Sequence, residues 1–126
     1  AFKKNNKSSI INISSIYGSE APKLEMYKGT GINNPAAYSI SKAGLNYMTK
    51  WLAVNLAPNI RVNSISPGGV IRGQSKKFIK QYSEKTLLNR MASEEDIIGS
   101  IIFLSTSMSS YVTGQNIIVD GGWSIK

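Results

Sequence analysis

Ile60-Arg-Val-Asn-Ser-Ile-Ser66, followed at once by Pro67-Gly68-Gly69, is the most informative segment for the fold of this chain. A short run that contains the β-branched residues Ile60, Val62 and Ile65 predicts a strand, and a proline with two glycines predicts its abrupt end. Residues 9–14 and 117–119 are similar short runs and are predicted to form two more strands. Such runs are typical of parallel sheets that are covered on both faces.

Helices are predicted between these strands. Asn33-Asn34-Pro35 is expected to start the first helix, with an asparagine cap and a proline in the first turn, and helical spacing of apolar residues continues until Pro58. Residues 74–89 are predicted to form one or two short polar helices, and Ser93 is expected to cap the last helix. The alternation of strands and helices predicts an α/β fold with a parallel sheet of about three strands and flanking helices.

Composition excludes several classes of site. The 126 residues suffice for one domain, and they include neither cysteine nor histidine. Disulfides, thiol catalysis, a Ser-His-Asp triad and zinc sites built on these residues are therefore excluded, and no metal site is predicted. No apolar run is long enough for a transmembrane helix, so no membrane partner is predicted. The lack of cysteine is compatible with a reducing cytoplasm, which is the predicted location.

The net charge of +8 allows two interpretations. One is a non-catalytic basic protein that binds nucleic acid. The other is a solvated surface rich in lysine. We favour the second because the basic residues are spread along the chain and no aromatic-interleaved RNA motif accompanies them, so no nucleic-acid partner is predicted.

Tyr38 and Lys42 are four residues apart and share one face of the first predicted helix. A free tyrosine has a pKa of about 10, which is too high for efficient acid–base catalysis at neutral pH, but a nearby ammonium and the positive end of a helix both stabilise phenolate. A hydroxyl such as that of Ser15 can then hold the reacting oxygen. The alternative is a packed tyrosine with its lysine in solvent.

The context of this pair resembles the short-chain dehydrogenase/reductase family. The similar segments are Ile11-Asn-Ile-Ser-Ser-Ile-Tyr-Gly18, Tyr38-Ser-Ile-Ser-Lys42-Ala-Gly44, Arg61-Val-Asn-Ser-Ile-Ser-Pro-Gly68, Tyr111-Val-Thr-Gly-Gln115 and Val119-Asp-Gly-Gly122. They follow the family's order and cover almost the whole chain. The resemblance implies part of a Rossmann-like, doubly wound parallel sheet, in an enzyme that moves hydride between NAD or NADP and a carbonyl or alcohol.

The resemblance also implies roles for particular positions. Tyr38 would be the general acid/base, and Lys42 would bind the nicotinamide ribose and stabilise the phenolate; both would contact the cofactor. Ser15 would orient the substrate, with Ser14 as the alternative one residue away. The segment expected beside the nicotinamide consists of Pro67, Gly68, Gly69 and Val70.

Two family segments are absent: the glycine-rich phosphate loop and the Asn-Asn-Ala-Gly segment. Gly29-Thr-Gly31 does not replace the loop, because it follows no strand and lacks a third glycine. Both segments normally lie upstream. Residues 1–126 are therefore expected to be the carboxy-terminal catalytic part of one domain, inactive without the amino-terminal half. The choice between NAD and NADP stays open, because the residue that decides it belongs to that half.

A long loop between Ser15 and Tyr38, residues 20–33, is expected where substrate would lie. It resembles bacterial relatives linked to surface-sugar or flagellin-glycan modification, and it argues against the alternative of a 3-oxoacyl-carrier-protein reductase. A cluster of cations favours a phosphorylated or nucleotide-linked sugar as substrate. Its members are Arg72, Lys76, Lys77, Lys80, Lys85 and Arg90. The family implies a homodimer or homotetramer.

Overall fold

One parallel sheet of three strands organises the chain in the computed structural model, which describes residues 8–126. The strands are β1 (Ser8–Ile13), β2 (Ile60–Pro67) and β3 (Asn116–Val119), and their order in the sheet is β1-β2-β3. Ile13 pairs with Ile65, and Pro67 pairs with Val119, so the carboxyl ends of the strands meet at one edge. The predicted α/β class and parallel sheet are confirmed, with strand bounds that differ by one residue from those predicted.

Three α-helices flank the sheet. Helix α1 (Ala36–Leu56) connects β1 to β2, and helices α2 (Lys76–Ser83) and α3 (Glu95–Ser105) lie between β2 and β3. Helix α1 ends before Pro58, as predicted, because the residue before a proline disfavours helical backbone. Among the described helices, none combines the length and the apolar character needed to cross a membrane.

Helix α1 packs against the sheet through small residues. Thr49 and Ala53 are its buried positions, and the hydroxyl of Thr49 accepts a hydrogen bond from Asn12 of β1 at 2.9 Å. Large apolar side chains of the same helix are exposed instead. They are Ile40, Tyr47, Met48, Trp51 and Val54. The predicted helical spacing of apolar residues is therefore confirmed. These five side chains are nevertheless exposed, and they form an apolar surface on α1.

Two side chains of β2 hold the segment that precedes β3. The fully buried Asn63 donates to the carbonyl of Val112 at 2.9 Å and accepts from the backbone N–H of Gln115 at 3.0 Å. The guanidinium of Arg61 donates to the carbonyls of Leu104 and Thr106, at 3.0 and 3.2 Å. Since carbonyls at a helix end lack partners within the helix, Arg61 satisfies the end of α3.

The prediction of one or two short helices within residues 74–89 is confirmed with one, α2; a series of turns follows Ser83, and Asn89 has a positive φ of 52°. Two predicted helix caps were wrong. Pro35, and not an asparagine, caps α1, because its extended backbone stands directly before the first helical residue. Glu94 takes the cap position of α3, while the N–H of the predicted cap Ser93 donates to Asp96 at 2.7 Å.

An aromatic cluster lies beside the carboxyl edge of the sheet. Trp123, 1% exposed, packs edge-on against Tyr17 and stacks on Tyr82, with ring centroids 5.6 and 6.3 Å apart. Phe78 joins Tyr82 to Tyr27 of the long loop through tilted ring contacts. Aromatic pairs at these separations add to the stability from burial alone, so the cluster fixes the long loop and α2 relative to the sheet.

Candidate active site

A cleft of about 330 Å³ opens at the carboxyl edge of the sheet. This is the position at which ligands bind in open α/β sheets, and the volume lies in the range of small-molecule sites. Its polar lining comes from Ser15, Tyr17, Tyr27, Asn33, Asn34, Tyr38, Gln74 and Tyr82. The remaining lining comes from Ile16, Ile32, Pro35, Gly68, Gly69, Phe78 and Met91. The cleft thus joins the end of β1, the start of α1, the end of β2 and the long loop.

The two serines at the end of β1 differ in their surroundings. Ser15 lines the cleft, and its hydroxyl oxygen accepts the backbone N–H of Tyr17 at 3.2 Å, which caps a short 3₁₀ turn. The hydroxyl of Ser14 points elsewhere and donates to the carbonyl of Lys42 at 3.1 Å. Ser15 is therefore the serine placed to meet a ligand, whereas Ser14 ties β1 to α1.

Tyr38 and Lys42 lie together at the start of α1. The ammonium of Lys42 is 5.6 Å from the ring centroid of Tyr38 and donates to the carbonyl of Ile13 at 2.9 Å. Tyr38 is 41% exposed, and its phenol oxygen has no hydrogen-bond partner within residues 8–126. Tyr38 stands in the first turn of α1, and Lys42 follows one turn later on the same face of the helix.

Gly18 sets the distance between the serine turn and α1. A Cβ at Gly18 would lie 2.9 Å from the carbonyl carbon and oxygen of Lys42, and 2.7 Å from the amide nitrogen of Asn46. Backbone atoms cannot yield as a flexible side chain can. Only glycine therefore permits the turn that carries Ser15 to sit directly on the helix that carries Lys42.

The other phenols of the cleft are poor candidates for proton transfer. Burial raises the pKa of Tyr17 and of Tyr27, and it raises the pKa of Tyr82 to about 12. These three side chains stay neutral over the physiological range, so they can hold a ligand but not act as bases. Tyr38 is the phenol of the cleft that has a cation beside it.

The segment after β2 forms one wall of the cleft. Gly68 and Gly69 line it, whereas Pro67 and Val70 do not: Pro67 pairs with β3, and Val70 packs in the core beneath. The backbone N–H of Gly69 donates to the hydroxyl of Tyr82 at 2.5 Å. A Cβ on Gly69 would lie 2.7 Å from the ring of Tyr82, so the glycine allows α2 to press against this segment.

The basic residues of the predicted cation cluster lie outside the cleft lining. Arg72 pairs with Glu94 at 2.8 Å, and Lys85 pairs with Glu25 at 3.3 Å. Arg90 forms a two-point pair with Asp96, whose pKa is well below its usual range because of these hydrogen bonds. The described part of the chain has no group of three or more carboxylates that could hold a metal ion.

Several residues of the cleft were not singled out from the sequence. Tyr17 follows Ser15 by two positions, so its place in the turn gave a usable signal. Tyr27 lies in a loop without periodicity, and Tyr82 lies on α2, where only the basic residues were predicted to be functional. Both reach the cleft through the packing of the long loop and α2, which no local sequence pattern predicts.

Comparison with known proteins agrees with this architecture. A family model described as Enoyl-(Acyl carrier protein) reductase matches residues 2–124. The chain is 42% identical over 125 residues to the post-translational flagellin modification protein A of Campylobacter coli, covering 98% of this chain and 49% of that protein. It is 39% identical over 124 residues to a 3-oxoacyl-[acyl-carrier-protein] reductase of Thermotoga maritima, covering 94% and 46%. The chain thus spans about half the length of these relatives.

A solved structure extends the agreement to three dimensions. The crystal structure of a short chain dehydrogenase from Leptospira borgpetersenii, with bound NAD+, superposes with a TM-score of 0.86 at 46% sequence identity. The match covers 93% of this chain and 44% of that one. With the family model, the identities and the fold in accord, the chain belongs to the short-chain dehydrogenase/reductase family.

Proposed function

We propose that this chain is the carboxy-terminal catalytic part of an oxidoreductase that uses NAD or NADP to interconvert an alcohol and a carbonyl. The observation that carries the proposal is that Tyr38, whose phenol oxygen is unpaired, lines the same cleft as Ser15, while the ammonium of Lys42 lies 5.6 Å from the centroid of its ring. A proton-transfer group, its neighbouring cation and an orienting hydroxyl are the minimum that alcohol oxidation requires of the protein.

The amino-terminal half would complete a single domain. Support comes from the relatives, of which this chain spans about half, and from the sheet, in which β1 pairs on one side only within the described residues. The Leptospira relative binds NAD+ as a whole protein. A dinucleotide needs a glycine turn at a helix N-terminus after a strand, and the described residues provide none.

The residues present here fit the nicotinamide end of such a cofactor. The ammonium of Lys42 has three donors and uses one on the carbonyl of Ile13, which leaves donors for ribose hydroxyls. Gly68 and Gly69 offer a part of the cleft wall without side chains, next to Pro67 and Val70. When bound, the cofactor supplies the acceptor or the donor of hydride.

The chain's own residues would handle the proton. In oxidation, the substrate hydroxyl lies against the hydroxyl of Ser15 and the phenol of Tyr38. Tyr38, as phenolate, takes the hydroxyl proton while the carbinol carbon loses its hydrogen with an electron pair, and the carbonyl forms. In reduction Tyr38 returns a proton to the developing alkoxide. Lys42 stabilises the phenolate that alternates with the neutral phenol.

Replacement of Lys42 tests this division of labour. In the full-length protein, Lys42→Met should weaken NAD or NADP binding roughly tenfold, the value of one lost charge-assisted hydrogen bond. Without the ammonium the phenolate is less favoured, so the pH profile of the remaining activity should move to higher pH. Calorimetry and kcat/KM against pH measure the two effects. Full binding with an unchanged profile would contradict both roles, and Lys50→Met on the same helix is the matched control.

For the substrate we propose a sugar derivative with a negatively charged group. The support for a sugar is the long loop, which resembles that of bacterial relatives linked to surface-sugar or flagellin-glycan modification; the similarity to a flagellin modification protein agrees with that resemblance. Since no cation lines the cleft, the charge would lie outside it, near the exposed face of α2, where Lys76 and Lys77 have no acidic partner among the described residues. The ammonium of Lys77 lies against Gly29 of the long loop.

The charge of the substrate can be tested directly. For a sugar phosphate, kcat/KM should exceed that of the neutral sugar at low salt, because clustered cations raise the capture rate of anions, and the difference should shrink at high salt. Lys76→Ala with Lys77→Ala should reduce it in the same way. Equal values for both sugars, without an effect of salt or substitution, would leave the lysines as solvated surface.

A 3-oxoacyl-carrier-protein reductase is the second candidate, favoured by the 39% identity to the Thermotoga maritima enzyme. It would use the same Tyr38 and Lys42 on a keto group. Rapid reduction of a 3-oxoacyl thioester, with no use of sugars, would favour this candidate.

We also propose that the full-length protein is cytoplasmic and forms a homodimer or homotetramer. The apolar surface on α1 supports association, because exposed apolar patches of this kind mark interfaces. Sedimentation of the full-length protein tests the assembly.

A further inference from the structure

Two phenols inside the cleft form a pair that the proton transfer does not use. The hydroxyls of Tyr17 and Tyr27 are 2.6 Å apart and share one hydrogen bond. Each phenol carries one donor and can accept, so the pair keeps one O–H donor and acceptor positions for a ligand. Both side chains line the cleft, and both are only partly buried, so a ligand can reach them.

The pair lies next to the reacting groups. Tyr17 is two residues from Ser15, and its backbone N–H donates to the hydroxyl of Ser15 at 3.2 Å. Tyr17, Tyr27 and Tyr38 all line this one cleft together with Ser15. A small ligand held by Ser15 and Tyr38 therefore extends toward the Tyr17–Tyr27 pair.

The walls between these polar positions are apolar and uncharged. Ile16, Ile32, Phe78 and Met91 line the cleft, and its lining contains no aspartate, glutamate, lysine or arginine. Such walls suit the carbon skeleton of a ligand. Polar groups at two positions and apolar contacts between them match a molecule that carries a second hydroxyl near the reacting one.

We propose that the Tyr17–Tyr27 hydroxyl pair recognises a second hydroxyl, adjacent to the reacting carbinol, and makes the enzyme selective for vicinal diols over simple alcohols. Because Tyr27 belongs to the long loop, this selectivity comes from the segment that separates Ser15 from Tyr38. The inference rests on the proposed function and adds to it the feature of the substrate that the cleft recognises, a second hydroxyl.

The test compares two ring alcohols that differ by one hydroxyl. With the full-length protein and its cofactor, kcat/KM is measured for cyclohexanol and for the cis and trans isomers of 1,2-cyclohexanediol. We expect at least about a tenfold preference for one diol isomer, since a hydrogen-bonding site left without its partner disfavours the simpler alcohol. Tyr27→Phe should bring the preference close to one.

Controls separate specificity from structure. Tyr111→Phe removes a hydroxyl from a fully exposed ring and should leave the preference intact. Tyr27→Phe keeps the ring contact with Phe78, and an unchanged cofactor Kd and thermal midpoint would show that the fold survives. Equal loss with all three alcohols would indicate a merely structural role and overturn the inference.

Other outcomes distinguish this inference from the proposed function. Cyclohexanol oxidised as well as the diols, or a preference that survives Tyr27→Phe, overturns the diol inference and leaves the oxidoreductase intact. Cofactor binding without oxidation of any of the three alcohols does the same. Failure to bind either cofactor or to oxidise any alcohol overturns the proposed function itself.

Discussion

Tyr38→Phe should reduce kcat of the full-length enzyme by about 10²–10⁴, the usual contribution of a positioned acid or base. The substitution removes the phenol oxygen and little volume, and that oxygen makes no hydrogen bond within the described residues, so folding loses nothing by its removal. Binding of NAD or NADP should change little. Steady-state kinetics and calorimetry on the same preparations measure the two quantities.

Tyr47→Phe is the matched control, because it deletes an exposed phenol from the same helix. It should keep the activity of the unsubstituted enzyme. An unchanged kcat in Tyr38→Phe would mean that another group transfers the proton. Tyr17, Tyr27 and Tyr82 are poor replacements because burial raises their pKa values. An equal loss in Tyr47→Phe would indicate damage to the helix instead.

Gly18→Ala should disturb both folding and catalysis. The new Cβ would lie 2.9 Å from backbone atoms of Lys42, so the turn or the helix must shift. Overpacking of this kind costs about 1–3 kcal/mol in the free energy of unfolding. The shift separates Ser15 from Tyr38, and because a misplacement of about 1 Å can cost about a hundredfold in rate, kcat should fall by that order.

Gly99→Ala supplies the comparison. Gly99 lies in helix α3, and a Cβ there meets no atom within 4 Å. Alanine in an open helical position should raise stability by up to about 1 kcal/mol and leave kcat unchanged. The free energy of unfolding in urea and kcat are measured for both variants. A Gly18→Ala enzyme as stable and as active as Gly99→Ala would contradict the close contact between Gly18 and Lys42.

The fold could be predicted to this extent because its elements are locally encoded. The run before Pro67-Gly68 contains the β-branched residues Ile60, Val62 and Ile65 and ends at residues that break a strand, and α1 ends before Pro58. The caps were less predictable. Asn34 and Ser93 are good capping residues by type, yet the next residue, Pro35 or Glu94, holds each cap position. At Ser93 the backbone N–H donates to the carboxylate of Asp96 instead.

The site was predictable only where chemistry follows a fixed spacing. Tyr38 and Lys42 are one helical turn apart, and Ser15 and Gly68 follow strands that end at one edge. The Tyr17–Tyr27 pair joins two segments through a long loop, so only tertiary packing brings it together. The cation cluster was predicted near the substrate because its residues are close in sequence. In the structure, Arg72, Lys85 and Arg90 instead form ion pairs with acidic residues outside the cleft.

The proposed oxidoreductase activity is tested most directly by quantifying both products of one reaction. The full-length protein is incubated with an alcohol, such as a 1,2-cyclohexanediol or a sugar phosphate, and with NAD+ or NADP+, and both the carbonyl and the reduced cofactor are quantified. We expect equal molar amounts of the two, formed at rates that fall together in Tyr38→Phe. Carbonyl without reduced cofactor, or equal rates in Tyr38→Phe and the unsubstituted enzyme, would contradict this expectation.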